Sequence, residues 1–195
     1  THLGTRYTPT KPRGINAILE LIRSSFLHVH YRYPTTIQPV VVKFLSIIAY
    51  IDPSWSDTQA ANIFYLPYTK NGKLLDIGCG NGSSMQVMRS KGWRVSGIDF
   101  DEQAIMAARQ QKLNASLGDL FSQKFQSNEF DAIMMNHVIE HVPDPQKLLV
   151  ECLRILKKGG VLVALTPNAH SRGYIQYGDK WRGLETPQHL QIFTV

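Results

Sequence analysis

Leu74-Leu75-Asp76-Ile77-Gly78-Cys79-Gly80-Asn81-Gly82-Ser83 is an apolar run that stops on three alternating glycines and passes into a helix-forming segment. The run reads as a buried strand, the glycines as a loop and Ser83 as the start of a helix. Glycine reaches positive φ without a Cβ clash and lets a ligand approach the backbone closely. The helix start adds unpaired N–H groups. The plain alternative is a strand-to-helix turn with no ligand. Two nucleotide classes are disfavoured by detail. A dinucleotide fingerprint is Gly-x-Gly-x-x-Gly, and Ser83 stands where its third glycine would fall. The lysine of a triphosphate-binding loop is missing. Asp76, at the strand end, would repel a pyrophosphate and suits a cationic ligand.

Downstream of this loop, short apolar runs alternate with segments of helical period. Residues 73–77, 94–98, 115–118, 130–135 and 160–166 are predicted strands; 83–91, 102–111 and 145–156 are predicted helices. This alternation predicts an α/β fold, a doubly wound and mostly parallel sheet with helices on both faces. Ligands of such sheets bind at the strand carboxyl ends. Upstream, Thr1 to Pro12 read as an irregular lead-in. Ile15, Ile18, Leu19, Ile22 and Phe26 give one apolar helical face, and a second helix spans about 39–50. A turn follows at Asp52-Pro53-Ser54, then a third helix around 57–65. Residues 1–70 are expected to be a helical extension covering the site, and residues 71–195 the ligand-binding domain.

Composition sets the outer bounds. The 195 residues are 43% hydrophobic and 18% charged, which excludes wholesale disorder. The longest apolar stretch, residues 40–51, contains Lys43 and is shorter than the roughly 20 residues of a membrane span. Cys79 and Cys152 are the only cysteines, so no disulfide framework exists. A reducing, cytoplasmic setting is expected, with no secretory pattern at the start. Residues 1–73 carry eight basic against three acidic side chains, whereas residues 74–195 carry 13 against 12. The basic residues are scattered rather than run together. The near balance of the second part weighs against a nucleic-acid partner.

Asp99 closes the second predicted strand, 21 residues after Gly78, where an acid accepts hydrogen bonds from ribose hydroxyls; its other reading is a helix cap. Gly118-Asp119-Leu120 follows the third strand. Asp119 there could accept from an adenine amino group, with Leu120 and Phe100 on the ring. The run from Leu74 to Asn168 resembles the class I S-adenosylmethionine-dependent methyltransferases. Leu75 to Gly82 matches their first motif, Asp99 the acidic second motif and Asp119 the adenine-side acid. Asn136 to Asp144 matches the motif after strand four. Lys157-Lys158-Gly159-Gly160 resembles the turn before strand five, and Thr166-Pro167-Asn168 the loop after it.

The resemblance implies a Rossmann-like fold of strand order 3-2-1-4-5, with S-adenosylmethionine as cofactor and S-adenosylhomocysteine as product. It also implies that Gly78, Cys79, Gly80 and Gly82 form the loop at the methionine part, with Asn136 beside the amino group. Methyltransferases of this class continue beyond the fifth strand. A C-terminally shortened sheet is therefore expected, with an exposed edge that favours self-association.

His137, Glu140 and His141 stand at i, i+3 and i+4, and share one face if the segment is helical. His141 could be a general base, the trio could hold a metal, or Glu140 could simply brace a histidine. His189, in Thr186-Pro187-Gln188-His189-Leu190, could add a fourth ligand. Three imidazoles and one carboxylate would favour zinc, iron or manganese over magnesium. Small-RNA 3′-end 2′-O-methyltransferases and ubiquinone-biosynthesis O-methyltransferases carry a similar Glu-x-x-Glu-His metal motif; here the first position is His137.

The segment from Gly173 to Glu185 mixes aromatics, glycines and charges and reads as a substrate lid. The pattern Trp181-Arg182-Gly183-Leu184-Glu185-x-Pro187-x-His189-Leu190 resembles a bacterial subgroup often found with polysaccharide or lipid-linked biosynthesis, which suggests a sugar-like or lipid-linked acceptor. The expected activity is methyl transfer to an oxygen or nitrogen of a small-molecule acceptor. The rivals are RNA 2′-O-methylation, a nicotinamide-dependent oxidoreductase and a non-catalytic cofactor-binding scaffold.

Overall fold

A computed structural model describes residues 14–185 and 188–194, so the lead-in read at Thr1 to Pro12 lies outside the described residues. The chain forms two compact units, Thr1–Asn62 and Ile63–Val195. The first holds α1 (Ile15–Tyr31), α2 (Pro39–Ile48) and α3 (Pro53–Ala61). α1 ends where Arg32 turns left-handed at φ 61°, two residues before Pro34. α3 begins earlier than predicted. Asp52-Pro53-Ser54 is its cap rather than a free turn, because the Asp52 carboxylate accepts from Ser54 and Trp55 N–H while Pro53 occupies the first helical position.

The second unit is built on β1 (Lys73–Ile77), β2 (Arg94–Asp99), β3 (Asn114–Leu117), β4 (Phe130–Asn136) and β5 (Leu156–Leu165). All pairings are parallel, in the order β3-β2-β1-β4-β5, as expected. β1 and β4 are central, so both faces are covered and their residues run apolar without alternation. On one face Leu75, Ile77, Ile133 and Met135 pack with Leu148, Cys152 and Ile155 of α6 (Pro145–Ile155). The other face has Cys79 and Ala115 against Met85 of α4 (Ser83–Ser90) and Ile105 and Ala108 of α5 (Glu102–Gln110).

The turn expected at Lys157-Lys158-Gly159-Gly160 is instead part of β5. Phe130 pairs with Leu156 and Ala132 with Val161, so the ladder advances two residues on β4 and five on β5. The three surplus residues form a bulge, which Gly159 accommodates at φ 78°. α6 therefore passes directly into β5 with no intervening loop.

Candidate functional site

The strand carboxyl ends carry the chemistry. β1 runs into the glycine loop, which folds back on β2: the N–H groups of Gly78 and Cys79 both donate to Ile98 O, at 2.9 and 3.0 Å. Gly78 has φ 74° and faces Val138, whose Cγ2 fills the space a Cβ would need. Gly80 has φ 53°, and nothing lies within 4 Å of where its Cβ would be. The first glycine thus makes room for the protein, while the second leaves backbone open to a ligand. Gly82 is buried at the cap of α4, against Leu113 and Ala108.

Asp99 fastens the loop to β2. Its Oδ2 accepts from Gly80 N–H at 2.7 Å and its Oδ1 from Asp101 N–H at 2.9 Å. The capping of α5 falls to Asp101, which accepts from Gln103 and Ala104 N–H. Asp99 is therefore not the helix cap, and each of its oxygens retains a lone pair for a ligand. Asp76 is 3% exposed, and its Oδ2 has no hydrogen-bond partner among the described residues. Burial, and secondarily the Asp99 charge, push Asp76 up to about 8.

A cavity of about 490 Å³ opens above these strand ends. It brings together Gly78, Asp99, Phe100, Asp119, Leu120, His137 and His141. Leu120 is buried and shared with the core, whereas Phe100 is largely exposed at the rim. Asp119 accepts from Ser122 N–H at 2.6 Å, and the hydrogen bonds from Ser122 hold its carboxyl below the usual range. Asp76, Cys79, Gly80, Gly82 and Asn136 do not line the cavity; Asn136 ends β4 exposed. Ile77, Val138 and Phe121 do line it and were not anticipated. Their only sequence signal was position, directly beside a motif at a strand end.

The histidine–glutamate segment is not an α-helix. Its helical part is one 3-10 turn, Ile139–His141, and His137 precedes it at φ 54°. Val142 is already extended ahead of Pro143, so the turn cannot lengthen. His137 Nδ1 donates to Glu140 Oε1 at 3.0 Å, and Glu140 is fully buried. Glu140 Oε2 has no partner among the described residues.

A different trio forms across the chain: Glu140, His141 and His189 offer ligand atoms all within 4.8 Å of one another. The backbone explains the meeting, since Leu190 N–H donates to Glu140 O at 2.8 Å and docks the tail on the turn. His141 Nδ1 donates to Gln188 O and His189 Nδ1 to Gly183 O, both at 2.9 Å. A carbonyl accepts only from a protonated nitrogen, so each neutral ring keeps its lone pair on Nε2. Metal-ligating histidines are usually held this way, by a carbonyl on the second nitrogen. His137 is outside the group, which corrects the expectation of three imidazoles: the set is two imidazoles and a carboxylate.

A family model described as a methyltransferase domain matches residues 57–195. A ubiquinone biosynthesis O-methyltransferase of Thiobacillus denitrificans is 32% identical over 128 residues, covering 62% of this chain and 52% of that protein. The chain spans about half the length of the curated relatives it matches. Two solved structures share the fold. An S-adenosylmethionine-dependent methyltransferase from Mesorhizobium loti has TM-score 0.51 and 23% identity, over 56% of this chain and 52% of that one. The YcgJ protein of Bacillus subtilis has TM-score 0.56 and 22% identity, over 70% and 62%. With the domain match covering most of its length and the sheet order in agreement, the chain belongs to the methyltransferase domain family of class I S-adenosylmethionine-dependent enzymes.

Proposed function

We propose that this chain transfers the methyl group of S-adenosylmethionine to a hydroxyl oxygen of a small molecule, with a lipid-linked intermediate as the favoured acceptor class. One observation carries the reading. His137 and His141 line the same cavity as Gly78 and Asp99, which would put a proton acceptor beside the cofactor subsite. Oxygen is favoured over nitrogen because the relatives matched at about a third identity are named O-methyltransferases, and their product class, ubiquinone, suggests the lipid link.

The residues suit the cofactor. The open backbone at Gly80 leaves room for the methionine part, and the unpartnered Asp76 Oδ2 provides a receptor for positive charge. Asp99 would accept from the ribose hydroxyls, and Asp119, Leu120 and Phe100 would receive the base. When bound, the cofactor supplies a methyl group on a sulfonium that leaves as a neutral thioether. His141 would take the acceptor proton on Nε2, with the acceptor oxygen held in line for transfer. The apolar walls Ile77, Val138 and Val142 exclude water from that line.

A second reading is favoured by the group of Glu140, His141 and His189, in which Glu140 has an unpartnered Oε2. These three side chains would hold a divalent cation, and a cation there would polarise the acceptor hydroxyl. Two imidazoles and one carboxylate suit zinc, iron or manganese better than magnesium.

Calorimetric titration of the chelator-treated chain with S-adenosylhomocysteine, with NADH as control, tests the cofactor assignment. Binding of the first alone supports it; binding of neither by a folded chain overturns it. Titration with Mn²⁺ and Zn²⁺ then separates the two readings. Stoichiometric binding lost in His189→Ala favours the cation. No binding, with activity on a phenolic or lipid-linked hydroxyl intact after chelation, leaves His141 as a metal-free base.

A further inference from the structure

The helices of the N-terminal unit carry exposed aliphatic side chains. In α2, Val40, Phe44 and Ile47 recur at i, i+4 and i+7, and Ile51 continues the stripe; their exposures are 81%, 66%, 69% and 80%. On α1, Ile15, Ile18 and Leu19 form a second exposed apolar stripe. Ser25 and Ser46 meanwhile take buried positions on the same two helices. A helix of a water-soluble protein shows the opposite pattern, with its serines in solvent and its aliphatic stripe packed. Isolated exposed aliphatics are ordinary, but three in register on α2, with Ile51 in the 3-10 turn that follows it, mark an interaction surface.

Charge selects the occupant. Residues 33–51 contain no acidic side chain, and exposed Lys43 flanks the α2 stripe. Exposed Arg32 precedes the segment, and Tyr50 adds an exposed aromatic with a polar tip. Exposed Asp52 follows Ile51, so the α2 stripe itself holds one cation, Lys43, which a second copy docked through this face would bury against apolar side chains. An anionic lipid surface complements it, with aliphatic and aromatic side chains entering the acyl boundary and cations meeting the headgroups. No helix of the described residues is long and apolar enough to cross a membrane, and α2 has only ten residues. The geometry is that of a helix lying in the interface.

We propose that α2 and the first turns of α1 form a lipid-docking face that inserts Val40, Phe44, Ile47 and Ile51 into the headgroup boundary of an anionic bilayer. No residue of the cavity takes part, so the inference stands apart from the methyl-transfer reading.

The test is flotation of the full chain with phosphatidylcholine vesicles, alone or mixed with phosphatidylglycerol, at low and high salt. The expected result is binding to the mixed vesicles that weakens with salt. Phe44→Glu with Ile47→Glu should lower the partition coefficient by at least about tenfold. Leu153→Glu, an equally exposed apolar position on α6, should leave it unchanged. Circular dichroism and S-adenosylhomocysteine binding report folding, and Phe44→Ser with Ile47→Ser replaces the double variant if that one unfolds. Failure to float with the mixed vesicles overturns the proposal. So does flotation that the double variant does not change. A lipid-free dimer in sedimentation equilibrium that the same variant disperses also overturns it, because the face would then be covered by a second copy.

Discussion

His137 Nδ1 donates to Glu140 Oε1 at 3.0 Å, from an exposed ring to a carboxylate with no solvent exposure. The second oxygen of Glu140 meets no partner among the described residues, and Glu140 belongs to the group formed with His141 and His189. A carboxylate buried and half-satisfied is costly to the fold. Glu140→Gln keeps the volume and removes the charge. It should leave thermal stability unchanged or raise it by about 1 kcal/mol, since a buried charge is replaced by a neutral isostere. Turnover should fall by about 10²–10⁴, the range of a lost acid–base or electrostatic group. S-adenosylhomocysteine affinity should hold. A melt, a titration and an initial rate check the three; a normal rate would reduce Glu140 to a brace for the turn.

Asp76 gives a pH signature. Burial, and then the Asp99 charge, raise its folded-state value to about 8, far above that of an unfolded aspartate near 4. Between those values the folded state holds a proton that the unfolded state has lost. Stability of the ligand-free protein therefore falls as pH rises from about 4 to about 8, by up to about 1.4 kcal/mol per pH unit, and levels off above. Asp76→Asn should flatten that slope in denaturant titrations across the range. A cationic ligand group beside Asp76 favours the carboxylate, so S-adenosylhomocysteine binding at pH 7 should release about one proton. Calorimetry in two buffers of different ionisation enthalpy measures it, and the release should vanish in Asp76→Asn.

The two thiols should be inert. Cys152 is 1% exposed and Cys79 is 6% exposed, and burial pushes both up to about 12. At pH 8 the thiolate is then a minor species on both residues, despite the position of Cys79 in the glycine loop. Labelling by an aromatic disulfide reagent should be slow in the native protein and complete in denaturant. Rapid labelling of one native thiol would identify Cys79 as accessible and contradict its role as packing beneath the loop.

What the sequence conveyed was local. The β1 run, the glycine loop and Asp99 were legible because a buried strand, a left-handed loop and a strand-end acid each leave their mark within a few residues. The bulge in β5 was not. Lys157 to Gly160 carry turn residues, but pairing of Leu156 with Phe130 pulls them into the ladder, a tertiary effect that local propensity cannot express. The conformation of the histidine segment was not legible for a related reason: its spacing is compatible with a helix, yet Pro143 leaves no length for an α-helix. The contact between His141 and His189, with ring centroids 4.8 Å apart, joins residues 48 positions apart and depends on the tail docking to Glu140 O. Only the residue type of His189 hinted at it.

Gly78 and Gly80 make a matched pair for separating fold from ligand. Both have positive φ, so alanine at either costs about 1–2 kcal/mol in backbone strain. At Gly78 the new Cβ also meets Val138 Cγ2, whereas at Gly80 it meets nothing within 4 Å. Gly78→Ala should therefore be the less stable in chemical denaturation, and Val138→Ala in the same chain should recover part of the loss by clearing the clash. Gly80→Ala should fold with the strain alone. Its Cβ would stand in the open space beside the loop, where the methionine part of the cofactor is assigned, so S-adenosylhomocysteine affinity should drop by about tenfold or more. Wild-type affinity in Gly80→Ala would move the cofactor off this glycine. Equal stabilities of the two variants would show that Val138 yields without cost and does not hold the loop against the turn after β4.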